Sequence, residues 1–112
     1  NTAKKLNQKI YEGIYCMYSG PNFETPAEIN ALRVIGGNAV GMSTVPEVIV
    51  ANHCDLPVVA ISVITNLAAG MNKTKLSHQE TLENASLAEK NILQLIKNYI
   101  NEVELNDSSG NN

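Results

Sequence analysis

Two clusters of polar and turn-forming residues carry side chains that could do chemistry. The first spans residues 20–28 and includes Glu24, and the second spans residues 41–47 and includes Ser43. Each cluster follows an apolar run and precedes a helical pattern, so each is predicted to join the end of a strand to the start of a helix. In open α/β sheets, ligands bind at such carboxyl ends, beside helix N-termini. The sequence therefore predicts a ligand site at one edge of a sheet.

Glu24, Ser43 and Met42 each have a functional and a structural interpretation. The Glu24 carboxylate could accept hydrogen bonds from a ligand, or it could stabilise the helix dipole as an acid of the first turn. Ser43, together with free backbone N–H groups, could bind an anion, or it could only cap the helix. Met42 could form an apolar floor under a sugar or belong to the core. Position alone favours the structural interpretation of each residue.

Three other polar side chains are candidates with similar alternatives. Asn66 ends the most apolar run, and its amide could grip a base edge or make an Asx turn. His78 lies beside a predicted helix cap, where an exposed histidine is the plain interpretation, and Tyr15 could simply be a half-buried aromatic residue. His53 and Cys54 are adjacent, but no third or fourth ligand lies at a suitable spacing, so we predict no metal site.

The hydrophobic pattern predicts the order β-α-β-α-β-loop-α within a single domain of 112 residues. Alternation of strands and helices is typical of an α/β layer fold with a parallel or mixed sheet. The nearly continuous aliphatic run over residues 56–65 predicts a central strand that is covered on both faces. The predicted strands cover residues 10–19, 39–42 and 56–65. The first predicted helix covers residues 26–34 and begins at a capping box of Thr25 and Glu28. The second runs from a cap at Ser43 or Thr44 to about residue 53, and the third runs from a cap at Ser77 to a disordered tail over residues 106–112.

Composition narrows the class of protein. The chain is 44% hydrophobic but only 4% aromatic, so its core should be aliphatic. A formal net charge of −3 without a basic block argues against a nucleic-acid partner. The apolar stretches are too short to span a bilayer, and no signal peptide is recognised at Asn1, so we expect a cytoplasmic protein without a membrane partner.

Three motifs in order resemble one enzyme family. They are Gly-Pro-Asn-Phe-Glu-Thr-Pro-Ala-Glu at residues 20–28, Gly-Met-Ser-Thr-Val-Pro-Glu-Val at residues 41–48 and Ile-Thr-Asn at residues 64–66. Together they are similar to the trimeric class of purine nucleoside phosphorylases, over nearly all of residues 11–99. The resemblance implies a phosphorylase-type three-layer fold with a mixed central sheet, of which residues 1–105 are the C-terminal part. It also implies a homotrimer that phosphorolyses purine (deoxy)ribonucleosides in purine salvage, with inorganic phosphate as co-substrate and no cofactor.

The resemblance also implies a role for each candidate residue. Glu24 would bind the N1–H side of the purine, and Asn66 would hold N7 and O6 and stabilise the departing base. Breaking the glycosidic bond leaves negative charge on the purine and positive charge on the sugar, so a donor at the base and a phosphate beneath the sugar both help. Of the other residues, Phe23 would pack on the base, Tyr15 and Met42 would contact the ribose, His78 would hold the 5′-hydroxyl as the third catalytic residue, and Ser43 would bind phosphate.

Two departures from the family pattern affect these expectations. Leu67 stands where mammalian members carry a lysine, so a preference for 6-oxopurines would depend on Asn66 and Glu24. Nothing here matches the family's N-terminal Gly-rich loop and Arg/His segment, which supply the other phosphate contacts. We therefore expect a C-terminal segment that is inactive by itself.

Two alternatives remain open. Methylthioadenosine phosphorylase shares the fold, but it has acidic character at the position of Asn66 and an apolar residue at that of His78, so both residues favour the nucleoside enzyme. The other alternative is a non-catalytic fragment that only binds purine weakly or associates with other subunits. The absence of the other phosphate-binding residues motivates this second alternative.

Overall fold

The computed structural model describes residues 1–71 and 78–109, and it shows a small parallel sheet with helices, consistent with part of an α/β fold. The alternation of strand and helix from residue 15 to residue 53 confirms the predicted order β-α-β-α. The elements are α1 (Thr2–Lys5), β1 (Tyr15–Met17), α2 (Pro26–Val34), β2 (Ala39–Gly41), α3 (Val45–His53) and α4 (His78–Ser109).

The two strands run parallel and end at the same edge of the sheet. Tyr15 lies opposite Ala39 and Met17 lies opposite Gly41. The ladder continues by one bond, because the Tyr18 N–H donates to the Gly41 carbonyl at 2.9 Å. The chain that leaves β1 and the chain that leaves β2 therefore start from neighbouring positions, as the predicted site requires.

Helix α2 has the predicted bounds and the predicted capping box. The Glu28 N–H donates to Thr25 Oγ1 at 3.3 Å, and the Thr25 N–H donates to the Glu28 carboxylate at 2.7 Å. Pro26 occupies the first turn, where no backbone donor is needed. The helix ends at Val34 with Ile35 as its C-cap, and Gly36 follows at φ 98°, a conformation that favours glycine. The N–H groups of Gly36 and Gly37 donate to carbonyls of the last turn.

Helix α1 is tied to α4 by polar and apolar contacts. Thr2 Oγ1 donates to the Glu102 carboxylate at 2.6 Å, and Lys5 Nζ pairs with it at 2.7 Å. These two donors lower the pKa of Glu102, the hydrogen bond from Lys5 contributing most. Ala3 and Leu95 are both buried. The first residues of the chain therefore pack against its long last helix.

The predicted central strand over residues 56–65 does not form. This segment has no strand pairing with any described residue, and Leu56 and Ile64 are 60% and 65% exposed. A strand is defined by hydrogen bonds to a neighbour, and no described segment supplies that neighbour, so the prediction of a strand here is wrong for this structure. The same reason shortens the first strand, predicted over residues 10–19, to Tyr15–Met17.

The starts and ends of the later helices differ in part from prediction. Thr44 is the N-cap of α3, with φ 76° and without a side-chain cap bond, and the helix ends at His53 as predicted. Helix α4 continues to Ser109, so residues 106–109 are helical and are not the predicted tail. The predicted cap at Ser77 lies outside the described residues. No helix within the described ranges is both long enough and apolar enough to cross a bilayer.

The small buried core leads to a prediction about the 112-residue chain alone. Among the residues whose burial is described, the buried hydrophobic residues are Ala3, Ile29 and Leu95, which keep 5%, 5% and 8% of their surface exposed. Such a core contributes little to cooperative folding, so scanning calorimetry should show no sharp unfolding transition. Ile29→Ala should then leave the profile unchanged. A sharp, concentration-independent transition that Ile29→Ala shifts to lower temperature would contradict this expectation.

Candidate active site

A cleft with a volume of about 320 Å³ lies beside β2 and α2. Its lining combines the loop after β1, the inner face of α2, strand β2 with Met42, residues 63–68, Met71 and Thr81 of α4. This volume is within the range of small-molecule sites. Four of the residues predicted from sequence line this one cleft: Phe23, Glu24, Met42 and Asn66.

Two acids near the start of α2 have different tasks. Glu28 is the acid of the first turn, and its carboxylate accepts hydrogen bonds from Tyr18 Oη, from the Thr25 N–H at 2.7 Å and from Thr25 Oγ1 at 2.9 Å. Glu24 precedes the N-cap, is half-buried and lines the cleft. Among the described residues, no group donates a hydrogen bond to Glu24. Its carboxylate therefore retains its capacity to accept hydrogen bonds from a ligand.

The bond between Tyr18 and Glu28 fixes the two ends of the loop that carries Phe23 and Glu24. Tyr18 directly follows β1 and Glu28 lies in the first turn of α2, so the bond closes this loop across ten positions. The hydrogen bond from Tyr18, followed by those from Thr25, lowers the pKa of Glu28. The same bond to Glu28 raises the pKa of Tyr18, and the nearby charge of Glu24 adds a smaller effect in that direction.

Ser43 and Tyr15 form a second polar group at the N-terminus of α3. The Ser43 N–H lies 3.4 Å from Tyr15 Oη, and Ser43 Oγ lies 3.5 Å from the same oxygen and 3.1 Å from Thr44 Oγ1. Gly41 makes this approach possible, since a Cβ at that position would collide with the tyrosine hydroxyl. Ser43 is not the N-cap, so capping does not account for its hydroxyl. Exposed hydroxyls at a helix N-terminus suit an anion.

The Asn66 amide is held by two threonine hydroxyls. Its Nδ2 donates to Thr65 Oγ1 and to Thr81 Oγ1, both at 3.1 Å. Within the described ranges, no backbone N–H donates to this side chain, so the alternative of an Asx turn does not describe it. Asn66 is half-buried at the cleft wall. An amide that is held on one side by side chains can present a hydrogen-bonding atom to a ligand in a defined direction.

His78 does not line the cleft. It is exposed and is the first residue of α4, one turn before Thr81, which does line it. The sequence prediction missed several polar residues that line the cleft. Of these, Thr81 could have been found from the sequence, because it follows the predicted site residue His78 by three positions and shares its helix face. The missed polar lining residues are Asn22, Arg33, Asn38, Thr65 and Thr81.

The structure gives no donor set for a metal at the adjacent His53 and Cys54. Among the described residues, no three His, Cys, Asp or Glu side chains are grouped to hold a metal ion. Both Cys54, which is exposed, and Cys16, which is half-buried, are free thiols. The polar side chains that line the cleft among the described residues are amides, threonine hydroxyls, the Glu24 carboxylate and the Arg33 guanidinium.

Comparison with known proteins places these features in context. The sequence model of the phosphorylase superfamily matches residues 1–101. The chain is 48% identical over 102 residues to purine nucleoside phosphorylase 1 of Bacillus subtilis, an alignment that covers 91% of this chain and 38% of the relative. It is 50% identical over 100 residues to purine nucleoside phosphorylase of Rattus norvegicus, covering 86% and 35% respectively. The chain thus spans little more than a third of the length of these relatives.

Solved structures of similar proteins support the fold. A Schistosoma purine nucleoside phosphorylase in complex with hypoxanthine matches with a TM-score of 0.82 and 34% identity, over 88% of this chain and 37% of that one. The Schistosoma mansoni protein in complex with inosine matches with a TM-score of 0.78 and 35% identity, over 90% and 37%. The arrangement of this chain is therefore that of the corresponding part of a phosphorylase structure.

The Tyr18–Glu28 bond leads to a prediction on pH dependence. A carboxylate whose pKa is lowered by folding stabilises the protein above its ordinary pKa, and that contribution disappears as the pH falls through the lowered value. A tyrosine whose pKa is raised contributes below its ordinary pKa, and that contribution is lost as the pH rises through the raised value. Tyr18→Phe should therefore lower the melting temperature of the full-length natural protein most at neutral pH.

The matched control is Tyr11→Phe, because Tyr11 is 80% exposed and the substitution keeps its ring. Melting temperatures of both variants should be measured by fluorimetry from acid to alkaline pH. The decrease in melting temperature caused by Tyr18→Phe should become smaller towards both acid and alkaline pH. The melting temperature of Tyr11→Phe should show no such dependence on pH. A deficit of Tyr18→Phe that does not change with pH would count against the bond as described.

Proposed function

This chain belongs to the phosphorylase superfamily, and we propose that it is the part of a purine nucleoside phosphorylase that supplies the contacts to the base and the ribose and some of the contacts to phosphate. The single observation that carries this proposal is the meeting of Phe23, Glu24, Met42 and Asn66 around one cleft. The names of the relatives and the complexes of the Schistosoma protein with hypoxanthine and inosine support it.

Recognition of the base depends on Glu24 and Asn66. Glu24 retains a carboxylate that can accept a hydrogen bond from the N1–H of a 6-oxopurine, and charged acceptors make the stronger hydrogen bonds. Asn66 contributes an amide that can bind N7 and O6. Phe23, which is 44% exposed and lines the cleft, offers an aromatic surface for the base.

The ribose and phosphate contacts come from the neighbouring edge. Met42 lines the cleft and directly precedes Ser43 in the chain. Ser43, at the N-terminus of α3, donates to phosphate. Tyr15, whose Oη lies 3.5 Å from Ser43 Oγ, contacts the ribose. His78, at the start of α4, binds the 5′-hydroxyl. Binding a phosphate near the sugar places an anion where positive charge develops.

The reaction is displacement at the anomeric carbon of the ribose. A phosphate oxygen forms a bond to C1′ as the C1′–N9 bond breaks. The electron pair of the C1′–N9 bond moves onto the purine. A proton from solvent neutralises the departing base, so the products are free purine and ribose 1-phosphate, or deoxyribose 1-phosphate. Asn66 lowers the barrier because its hydrogen bond to the departing base is strongest in the transition state.

We further propose a cytoplasmic homotrimer for the full-length natural protein. The chain spans 38% of the Bacillus subtilis relative, so the proposal concerns a protein of that relative's size, and the 112-residue chain alone should not turn over nucleoside. Sedimentation of the full-length protein as a monomer would contradict the trimer. A natural product of only 112 residues would instead favour a non-catalytic purine-binding protein.

Phosphate-dependent release of hypoxanthine from inosine tests the function. The full-length natural protein should release base only when phosphate is present, and Asn66→Ala should lower kcat by roughly 10²–10³, as expected for the loss of one hydrogen bond that is strongest in the transition state. Base release without phosphate, or full activity of Asn66→Ala, would contradict the proposal.

Ser43→Ala separates the phosphate contact from the base contacts in the same assay. Loss of a hydrogen bond to a charged group should raise the KM for phosphate about tenfold or more while leaving the KM for inosine nearly unchanged. Ser86→Ala is the matched control, because Ser86 is an exposed serine of α4 that does not line the cleft. An unchanged phosphate KM in Ser43→Ala would remove Ser43 from the phosphate site.

A further inference from the structure

Helix α4 holds the end of the segment at residues 65–66 in two places. Thr81 Oγ1 accepts a hydrogen bond from Asn66 Nδ2 at 3.1 Å, and Asn84 Nδ2 donates to the Thr65 carbonyl at 2.5 Å. Thr81 and Asn84 are three residues apart, so they share one face of the helix. All four residues are at least partly buried. The position of Asn66 is therefore set by a helix residue that lies 15 positions further along the chain.

We propose that Thr81 is a positioning residue that sets the orientation of the Asn66 amide towards the purine. This inference rests on the proposed function, in which Asn66 binds the base. Thr81 acts through Asn66, to which it is hydrogen-bonded. Its partner in this task, Thr65, is adjacent to Asn66 in sequence and moves with the same backbone, so Thr81 is the more independent anchor.

The hydrogen-bonding capacity of the amide explains why the anchor matters. The Nδ2 group has two hydrogens, and the two threonine hydroxyls engage both of them. In this orientation, Oδ1 is the atom with capacity left for a ligand, and it can accept a hydrogen bond from a ring N–H of the departing purine. The amide thus meets the base with its acceptor.

A hydroxyl can hold the amide in the reverse orientation as well. If the amide turns by half a rotation, the Thr65 hydroxyl can donate to Oδ1, and Nδ2 is then directed at a purine O6. A carboxylate or an amide N–H in place of the hydroxyls could serve only one orientation. The Thr81 hydrogen bond to Nδ2 therefore selects between two orientations of Asn66, each matched to one edge atom of a 6-oxopurine.

A double-mutant cycle in the full-length natural protein tests this inference. The four proteins are the unsubstituted protein, Thr81→Val, Asn66→Ala and the double variant, assayed for phosphorolysis of inosine. Thr81→Val keeps the branched shape but removes the hydroxyl, so kcat should fall about tenfold, as for one neutral hydrogen bond, while the KM for phosphate stays unchanged. In the Asn66→Ala background, Thr81→Val should not lower kcat any further, because Thr81 affects kcat only through Asn66.

Two further variants separate positioning from general damage to the structure. Thr81→Ser retains a hydroxyl and should keep nearly full activity, and Ser86→Ala removes a hydroxyl from the same helix away from the cleft and should be silent. If Thr81→Val is recovered misfolded, Thr81→Ala repeats the cycle with less bulk. The melting temperature of each variant reports whether its fold is retained.

Each outcome decides the inference. A fall in kcat that occurs only while Asn66 is present, and that Thr81→Ser does not show, supports it. The inference alone is overturned if Thr81→Val lowers kcat by the same factor in the unsubstituted protein and in the Asn66→Ala background, or if Thr81→Ser is as impaired as Thr81→Val. Absence of phosphorolysis in the unsubstituted full-length protein overturns the proposed function, and the inference with it.

Discussion

The parallel pairing of β1 with β2 is the constraint on which the cleft depends, because it brings two separate loops to one edge of the sheet. Met17 and Gly41 are paired at the last position of the ladder, so the chain leaves both strands at nearly the same place. In an antiparallel pair, the two carboxyl ends would lie at opposite edges. Helix α2 is the crossover that makes the parallel arrangement possible, and its capped start and glycine end fix its length.

Side chains near the cleft are divided between those that hold the structure and those that keep their hydrogen-bonding capacity. Glu28 uses its carboxylate on Tyr18 and Thr25, whereas Glu24, four residues earlier, lies in the cleft wall without such donors among the described residues. Asn66 combines both tasks, because its Nδ2 is held by hydroxyls and its Oδ1 retains capacity to accept. Identical residue types therefore differ in function through the partners that the fold supplies.

The segment over residues 56–65 shows that a local hydrophobic pattern is not sufficient to predict a β-strand. Its aliphatic composition is typical of a strand buried on both faces, but composition supplies only the side chains of a sheet. The backbone of a strand needs hydrogen bonds from a neighbouring segment, and that neighbour is a property of the whole fold. Helix α2 was predicted with its observed bounds for the opposite reason, since Thr25, Pro26, Glu28 and Gly36 act within the helix and its ends.

The sequence by itself determined the helix boundaries set by local caps and the alternation of strand and helix up to residue 53, because these depend on residues that are close together in the chain. It also determined the family, because the family is identified by long motifs. It also identified Phe23, Glu24, Met42 and Asn66, which the structure gathers in one cleft. Only the tertiary structure decided that Thr81 holds Asn66 and that Tyr18 engages Glu28. Those contacts depend on how separate segments approach each other in space, which a spacing along the chain does not specify.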